Sequence, residues 1–379
     1  MKTKVNKSGK PIKSAISAAC KTFTRGKAVL PILHKVAVSE GMAEMTDMNM
    51  TARWPLDMAN GIYTVIGDTF VHDKEFELED FPLVASVSMI PMFAKVTISA
   101  EVLNEALINV RDAISTDENR YILKSVLFER KNGSSDIRLV ATDGRRMHIE
   151  TVKASINSKA KDFCCVVSSD TIDLIAKMYV GGDVTIEFFK SKEKTVKRAK
   201  DAAVEPTVGE RAIFHFGRNM EVRANLVDGK YPNYERAIPG EVPIVGTIDA
   251  QAWLDKIATL VPFMKHVKKA EGCCISVKLT VMSSGAASIG FTSTVSGCEK
   301  MSVDLPGFTV KKWEAVDNVK NSEPPATTPA TERHIAFNPD MFTEMLAGGP
   351  TEFRMNDELD PIVLASSTFT GVLMPIRCS

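Results

Sequence analysis

The chain has 379 residues, of which 44% are hydrophobic and 25% are charged, a balance typical of globular proteins. This composition excludes disordered, collagen-like and membrane-spanning chains, and the length indicates two to three domains, each large enough to bury a core. The 47 basic and 47 acidic side chains cancel, so any contact with nucleic acid must come from local segregation of charge.

Targeting and redox signals are weak. No apolar run approaches the ~18 residues of a membrane span, and the polar N-terminal stretch MKTKVNKSGK is not followed by an apolar region. We therefore expect a cytoplasmic protein with no membrane partner. The seven cysteines include two adjacent pairs and no CxxC spacing, which indicates neither a disulfide framework nor a zinc site. We expect buried thiols, in strands at DFCCVVSS and EGCCISVK, and no metal or cofactor.

Five amphipathic helices are predicted from apolar residues at intervals of three and four. They begin near Pro11, Ser99, Ser168, Asp249 and Asn338. Ser99 and Asp249 are suitable N-caps, and glycine pairs after the third and fifth helices are C-cap signals. Alternating strands with polar turns come after the helices. The second and third thirds of the chain thus each predict helix, strands, helix, strands, whereas the first third contains only one helix.

Two segments interrupt this pattern and are interpreted as insertions. Residues 190–211 are rich in lysine and arginine, which is compatible with contact to nucleic acid but more typical of a solvated face. Residues 318–333 contain prolines, threonines and alanines, a composition typical of a flexible or polyproline-like loop.

Four motifs succeed one another along the chain. LPIL spans residues 30–33, and VATDGRRMHIE, residues 140–150, predicts a hairpin with Asp143-Gly144 in the turn. LVDGKYPNYERAIP, residues 226–239, carries a second Asp-Gly. The last motif, VLMPIR, is an apolar strand that contains Pro375, which indicates an edge or rim and a candidate binding surface. A terminal core strand with no other role is the alternative.

In this order the motifs resemble those of the bacterial β sliding clamp, the processivity subunit of DNA polymerase III. The resemblance implies an α+β fold, the DNA clamp fold, with three topologically similar domains at residues 1–95, 96–241 and 242–379. Helices would line a ring and sheets would lie outside it. Two half-rings would close head to tail around double-stranded DNA without reading its sequence.

The implied function is that of a non-catalytic clamp that tethers the replicative polymerase. Its implied partners are DNA, the polymerase, the clamp loader, other proteins with clamp-binding peptides, and a second copy of the chain, most simply a homodimer. The alternative is a clamp relative that acts as a peptide-binding adaptor or decoy without encircling DNA. An enzyme finds little support, because the chain lacks a Gly-rich phosphate loop, HExxH and GxSxG, and its six histidines are scattered.

The resemblance also implies two sets of site residues. Partner peptides would bind a cleft between the second and third domains, formed by Leu123, Thr142, Gly144, Arg145, Arg146, Met147, Pro232, Arg236, Ala237, Pro361, Val372, Leu373, Met374, Pro375, Ile376 and Arg377. DNA would contact Lys27 and Tyr121, which match family positions, their neighbours Arg25 and Arg120, and the helix residues Lys13, Lys177 and Lys265. The alternatives are a solubilising role for the lysines and ordinary strand packing for Tyr121.

Some positions depart from the family pattern. Ala237 is smaller than the usual valine, Arg145 replaces a common histidine, and Cys378-Ser379 replaces a final leucine, so peptide preference should differ. The first domain is shorter, without a second helix and neighbouring strands. Since that part joins the partner chain in the family, a remodelled dimer, another ring stoichiometry or a monomer are all open. The alternating Phe76 and Leu78 could supply an interface strand, and the shortening favours an accessory clamp of a phage or mobile element.

Overall fold

The computed structural model describes residues 12–25, 30–67, 69–82, 90–190, 207–217, 219–271, 276–295, 297–298, 300–314 and 331–376. The chain forms two compact units. Unit 1 comprises Met1–Ala141 and Thr151–Tyr231, and unit 2 comprises Thr142–Glu150 and Pro232–Ser379.

The first third of unit 1 contains one helix and five strands in the residues that the structure describes. They are α1 (Ile12–Phe23), β1 (Val36–Ser39), β2 (Met42–Thr46), β3 (Met50–Pro55), β4 (Gly61–Ile66) and β5 (Thr69–His72). Strands β1–β2, β2–β3 and β4–β5 form antiparallel hairpins, and β1 also pairs antiparallel with β4. The predicted single helix of this region is therefore confirmed for the described residues.

The remainder of unit 1 contains two helices among its strands. The elements are β6 (Met92–Ser99), α2 (Ala100–Arg111), β7 (Ser125–Arg130), β8 (Asp136–Thr142), β9 (Arg146–Lys153), β10 (Ser155–Ser158), β11 (Phe163–Ser168), α3 (Ser169–Met178), β12 (Asp183–Phe189), β13 (Thr207–Val208), β14 (Arg211–Phe216) and β15 (Met220–Asn225). One sheet has the order β10-β6-β12-β14-β15-β3-β2-β1-β4-β5, and β13-β11-β7-β8 lie side by side in another. Hydrogen bonds between β15 and β3 thus join the first third of the chain to the second third within one sheet.

The core of unit 1 lies between its sheets and helices. Alternate strand residues point inward, as in Val184, Ile186 and Phe188 of β12, and meet the apolar stripes of the helices. Ala15 and Ala19 of α1 are fully buried in the same core. Their small side chains let the helix approach closely, and each buried methylene stabilises the fold by ~0.8 kcal/mol.

A row of alternating charges crosses the solvent face of the long sheet on six neighbouring strands. In strand order its members are Lys95, Glu187, His215, Glu221, Arg53 and Glu44. Arg53 donates from Nη1 to Glu221 Oε1 at 2.7 Å and from Nε to Glu44 Oε2 at 2.8 Å. Burial raises the pKa of Glu187, but the hydrogen bonds from Lys95 and His215 outweigh it and hold this pKa below its ordinary value. This charge ladder passes over the β15–β3 pairing.

Unit 2 repeats the helix and strand pattern. Besides residues 146–150 of β9, its elements are β16 (Ile244–Thr247), α4 (Ala250–Glu271), β17 (Val277–Met282), β18 (Ala287–Thr292), β19 (Lys300–Asp304), β20 (Thr309–Trp313), β21 (Glu332–Phe337), α5 (Pro339–Ala347), β22 (Glu352–Met355), β23 (Ile362–Ala365) and β24 (Phe369–Leu373). Strands β9-β24-β23-β22-β16-β20 lie side by side, and a four-stranded sheet has the order β19-β18-β17-β21. Both pack on α4 and α5 around Trp253 and Phe342.

The five predicted helices are confirmed, and so are most of their caps. Ser168 accepts a hydrogen bond from the Thr171 N–H, and the Asn338 side chain caps α5. Asp249 accepts from the N–H of Ala252. Ser99 is the N-cap of α2 as predicted, although its side chain makes no capping hydrogen bond.

The prediction of buried thiols is confirmed for three of the four described cysteines, whereas Cys164 is only half-buried. Cys164 and Cys165 lie in β11, and Cys20, Cys165 and Cys298 are buried free thiols. Burial raises the pKa of Cys20 to about 11 and that of Cys165 well above its ordinary value, so both thiols are unreactive at neutral pH. The expected strand at EGCCISVK begins only at Val277, and the cysteine pair in it lies outside the described residues.

One strand prediction is wrong. Phe76 and Leu78 do not form an interface strand, because Leu78–Asp80 is a 3-10 turn in which the Glu77 N–H donates to the Asp80 side chain at 2.9 Å. Both apolar residues pack on a small cluster that contains Ile32 and Phe81. Most of the two predicted insertions, namely residues 191–206 of the first and 318–330 of the second, lies outside the described residues.

Candidate functional site

The last described strand of the chain pairs with the ATDG hairpin inside unit 2. In the β24–β9 register, Val372 lies opposite Met147 and Leu373 opposite Arg146. The pairing continues past the strand end, where the Met374 N–H donates to the Arg145 carbonyl at 2.9 Å. The structure thus brings together two motifs that are far apart in the sequence.

The turn of this hairpin is held by its own side chains. Asp143 Oδ1 accepts from the N–H groups of Arg145 and Arg146, at 2.8 and 2.9 Å, and Thr142 Oγ1 donates to the Arg146 carbonyl at 2.7 Å. Gly144 has φ of +84°, a conformation that residues with a Cβ adopt at a cost. The positive-φ turn predicted from Asp143-Gly144 is therefore confirmed.

Arg146 links this turn to a helix. Its guanidinium pairs with Asp143 Oδ2 at 3.2 Å and with the carboxylate of Glu344 on α5. The arginine side chain is mostly buried, so the two carboxylates fix its planar group in one orientation. Sequence reasoning missed Glu344, because a partner so distant in sequence leaves no local signal.

The side chains of the terminal strand divide into a buried base and an exposed top. Met147, Val372 and Leu373 are buried and form the base on which the exposed side chains stand. Met374 and Ile376 are 42% and 43% exposed, although both are large apolar side chains. Exposed apolar groups on a rigid, hydrogen-bonded base are suited to bind the apolar anchors of a peptide.

The other residues of the predicted cleft occupy several positions. Pro361 precedes Ile362, which lies opposite Leu373, so Pro361 is at the same end of its sheet as Met374. Pro232, Arg236 and Ala237 are exposed on and beside the Tyr234–Ala237 turn of unit 2, whose Tyr234 is buried. Leu123 belongs to unit 1 and is buried there, and Arg377 lies outside the described residues.

The predicted DNA contacts are mainly exposed positions. Tyr121 is 62% exposed in a 3-10 turn, Tyr121–Leu123, which excludes ordinary strand packing. Arg25 and Arg120 are exposed, the first beyond the end of α1 and the second beside Tyr121 in sequence. Lys27 lies outside the described residues, and Lys13 is on α1 with its side chain outside them.

Two helix lysines differ in their surroundings. Lys177 of α3 donates to Thr22 Oγ1 of α1 at 3.1 Å, so its ammonium group is tied to a neighbouring helix. Lys265 is exposed on α4, as are Lys256, Lys268 and Lys269. The apolar residues of that helix recur at intervals of three and four and fill the core, which leaves the basic residues on the opposite face.

The described residues offer little for catalysis. Among them, no group of three or more His, Cys, Asp or Glu side chains is arranged to hold a metal ion. The Asp143 carboxylate serves the turn and Arg146, as a hairpin aspartate should. In the part of the chain that the structure covers, no helix combines the length and apolar composition that a bilayer crossing requires.

Comparison with known sequences gives a consistent result. Residues 97–233 match the family described as DNA polymerase III beta subunit, central domain. A beta sliding clamp of Caulobacter vibrioides is 25% identical over 312 residues, which cover 79% of this chain and 69% of that protein. A beta sliding clamp of Helicobacter pylori is 21% identical over 297 residues, 77% of this chain and 65% of that protein.

Solved structures of the same fold extend over nearly the whole chain. A DNA polymerase III beta subunit from Thermotoga maritima aligns with a TM-score of 0.72 at 16% identity, covering 97% of each chain. The corresponding subunit of Streptococcus pyogenes aligns with a TM-score of 0.70 at 16% identity, covering 98% of this chain and all of that one.

The repeated helix-and-sheet units are those of the DNA clamp fold. Residues 97–233 match the central domain of the DNA polymerase III beta subunit family, and the chain is similar in sequence and fold to bacterial beta sliding clamps. Members of this family are generally non-catalytic processivity factors of DNA replication. The fold class expected from the sequence is confirmed.

Proposed function

We propose that this protein is a sliding clamp that encircles duplex DNA and holds a DNA polymerase by a peptide bound at its terminal strand. The pairing of β24 with the ATDG hairpin carries the proposal, because it leaves Met374 and Ile376 exposed on a buried, hydrogen-bonded base. Partners would insert a short peptide with apolar anchors. Arg145 and Arg236 would fix its register through backbone carbonyls or a carboxylate. Arg146 holds the hairpin beneath through Asp143 and Glu344.

The DNA-binding part of the proposal rests on exposed basic and aromatic side chains. Lys256, Lys265, Lys268 and Lys269 on the solvent face of α4 are positioned to meet phosphates without reading bases. Arg25, Arg120 and Tyr121 in unit 1 would add contacts. Because phosphate contacts are weak and independent of sequence, such a surface permits sliding along the duplex.

Ring closure requires two complementary edges on each chain. β5 ends the long sheet of unit 1, and β19 ends the four-stranded sheet of unit 2, within the described residues. An unpaired edge presents free N–H and C=O groups to another strand, and head-to-tail pairing closes when two copies meet twice. We assign the contact between chains to β5 of one copy and β19 of the other. The expected homodimer is a consequence of this assignment.

Peptide binding is the first test. Calorimetry with a synthetic QLxLF-type peptide should give saturable binding to the wild-type protein, while a scrambled peptide of the same composition should not bind. If both peptides behave alike, the assignment of the terminal strand as a peptide site fails.

The second candidate function is a peptide-binding adaptor that does not encircle DNA. It is favoured by one observation, the single helix among the described residues of the first third, where the second and third thirds have two each. Light scattering over a micromolar concentration series separates the candidates. A species of twice the 41.5 kDa chain mass supports the ring, and a mass that stays at one chain supports the adaptor.

The ring has a further signature on DNA. Protein placed on nicked circular DNA by a clamp loader should remain bound while the circle is intact and should leave when a restriction enzyme linearises it. Retention that is indifferent to linearisation would indicate ordinary surface binding and would contradict encirclement.

A further inference from the structure

A second concave site lies in unit 2 beside the exposed terminal residues. It is a cavity of about 790 Å³ over the solvent face of the four-stranded sheet. Strand alternation sends Leu279, Ile289 and Ile335 into the core and leaves the next residue of each strand on the opposite face. Helix α4 packs with its apolar face on the core side of this sheet, and its basic face points away from the sheet. The cavity therefore lies on the opposite side of the sheet from the proposed DNA surface.

The floor of the cavity is made of small side chains around one glycine. Gly290 lies opposite Lys278 on one side and Ser302 on the other. A Cβ at Gly290 would come within 2.4 Å of the Met301 carbonyl oxygen, so the strand spacing here tolerates no side chain. The remaining floor positions are largely hydroxyl-bearing, namely Ser276, Thr280, Ser288 and Thr292. The result is an open depression with hydroxyl groups on its floor.

Two lysines on this floor lack a counter-charge. Lys278 and Lys300 lie on the same face, on strands separated by β18, and strand geometry places their Cα atoms ~12 Å apart. Among the described residues, neither ammonium group has a carboxylate within 4 Å. Glu332, an acid of the cavity lining, lies beside His334, whose Nε2 is 3.3 Å from its carboxylate.

The rim of the cavity is apolar. Leu359 is 58% exposed, and Met282 and Ile376 line the same cavity with large exposed side chains. Ile376 is also a residue of the proposed peptide site, and its N–H donates to the Ala336 carbonyl of β21 at 2.7 Å. Met374 is only two residues away, ~7 Å along an extended chain, so one bound polypeptide reaches both places.

We infer that this cavity is a second subsite for the same partner protein, and that it binds an acidic segment flanking the peptide held at the terminal strand. The inference rests on the proposed peptide-binding function. The ammonium groups of Lys278 and Lys300, which have no carboxylate partner among the described residues, would receive carboxylates of the segment. The hydroxyls would accept or donate hydrogen bonds, and an apolar residue of the segment would meet Leu359 and Met282.

A nucleic acid is a poorer fit to the same surface. Phosphate recognition relies on many cations along a groove, whereas this face has two free lysines, a His334 already paired with an acid, and Glu358 on the rim. The apolar rim residues also have no counterpart in a phosphate backbone. Electrostatic and apolar complementarity therefore both favour an acidic, amphipathic polypeptide.

The test compares peptides that share one core. Fluorescence anisotropy is measured with a QLxLF-type peptide alone and with the same peptide extended, at either end, by a short run of glutamates and then a leucine. One of the two extensions should tighten binding by about tenfold, since charge-assisted contacts contribute more than neutral ones. The Lys278→Glu, Lys300→Glu double variant should lose this gain and still bind the core peptide as the wild type does.

Matched controls separate charge at the cavity from charge in general. Lys311→Glu places the same reversal on β20, on an exposed residue outside the cavity, and should keep the gain. In the double variant, an extension of lysines in place of glutamates should bind more tightly than the glutamate extension. Tighter binding of the lysine extension would also show that the double variant is folded, because an unfolded protein would not gain affinity for it.

The outcomes are distinct. If the core peptide binds and neither extension improves binding, or if the gain survives in the double variant, the second subsite is refuted and the proposed function stands. If the core peptide itself does not bind, both proposals fall. If a labelled DNA oligonucleotide binds the wild type and loses affinity in the double variant but not in Lys311→Glu, the occupant is nucleic acid and the inference is overturned.

Discussion

The terminal strand of unit 2 and the β4–β5 hairpin of unit 1 both expose large apolar side chains, but in different backbone contexts. At the terminal strand, Met374 and Ile376 stand on a backbone whose N–H groups already donate to Arg145 and Ala336. At the hairpin, Ile66 of β4 and Val71 of β5 are exposed, and β5 ends its sheet among the described residues. The first arrangement offers side chains, and the second also offers an open backbone edge.

This difference indicates what each region binds. A satisfied backbone with exposed apolar side chains selects a partner by its anchor residues. An open edge accepts any compatible strand, and natural proteins leave such an edge uncovered mainly where another chain pairs with it. Changes at each region should therefore affect one kind of binding and spare the other.

Replacing Met374 by alanine should abolish measurable capture of a QLxLF-type peptide. Truncation of a central apolar anchor costs about 2–4 kcal/mol of binding free energy, which weakens binding at least ~30-fold. Calorimetry measures the loss, and Met48→Ala, an exposed methionine of unit 1, is the matched control and should bind as the wild type does. Unchanged affinity in Met374→Ala would remove the terminal strand from the site.

Replacing Val71 by lysine should weaken self-association without disturbing peptide binding. A charge on an edge strand opposes pairing, and with about 1 kcal/mol lost at each of two contacts the dimer weakens by roughly 2 kcal/mol. Light scattering should show dissociation at higher concentrations than for the wild type. Thr309→Lys, an exposed change on β20 of unit 2, is the control, and equal masses for the two variants would exclude β5 from the interface.

Replacing Gly144 by alanine should lower the free energy of unfolding by about 1–2 kcal/mol, because a Cβ is strained at φ of +84°. Denaturant unfolding measures this loss. Gly240→Ala, at an exposed glycine with no atom close to the added Cβ, provides the comparison and should change stability less. A Gly144→Ala protein as stable as the wild type would show that the turn relaxes into another conformation.

The smallest effect concerns the anchoring of the hairpin region at low pH. Asp73 Oδ2 is 2.6 Å from Lys35 Nζ and accepts a hydrogen bond from Thr64 Oγ1 at 2.8 Å. These contacts, of which the hydrogen bond from Lys35 has the largest effect, lower the pKa of Asp73 to about 2. A lowered carboxyl pKa stabilises the fold above the unfolded value of ~3.9, and this stability is lost as the pH falls towards 2.

Thermal unfolding measured from about pH 5 to about pH 2 checks this contribution, because this range contains the unfolded and the folded pKa of Asp73. Asp73→Asn should be less stable than the wild type at the upper end, and the difference between the two proteins should shrink as the pH falls. A difference that stays constant over this range would mean that Asp73 titrates as it does in the unfolded chain.

Much of the architecture was accessible from the sequence because it depends on local patterns. The spacing of Trp253, Ile257 and Leu260 predicts the buried face of α4, and Asp143-Gly144 predicts the turn that the structure shows. The placement of the ATDG hairpin and the terminus at one site came from resemblance to a family, and their strand pairing was found only in the structure. No periodicity in either segment indicates its partner.

The failures have physical causes that a local pattern does not contain. FELEDFP alternates as a strand does, but the Glu77–Asp80 hydrogen bond and the apolar cluster around Phe81 stabilise a turn instead. The Arg146–Glu344 pair joins elements that meet only in the folded unit. The cavity over the four-stranded sheet likewise depends on which face of each strand is covered, and that is decided by α4 and not by the strands themselves.

The charge ladder across the long sheet has a mechanical consequence. Bending the sheet between β15 and β3 would have to separate Arg53 from Glu221 as well as break the backbone hydrogen bonds beneath them. Since these side chains are mostly buried, salt screens them only weakly, and the stiffness persists at physiological ionic strength. This junction therefore behaves as a rigid joint and not as a hinge.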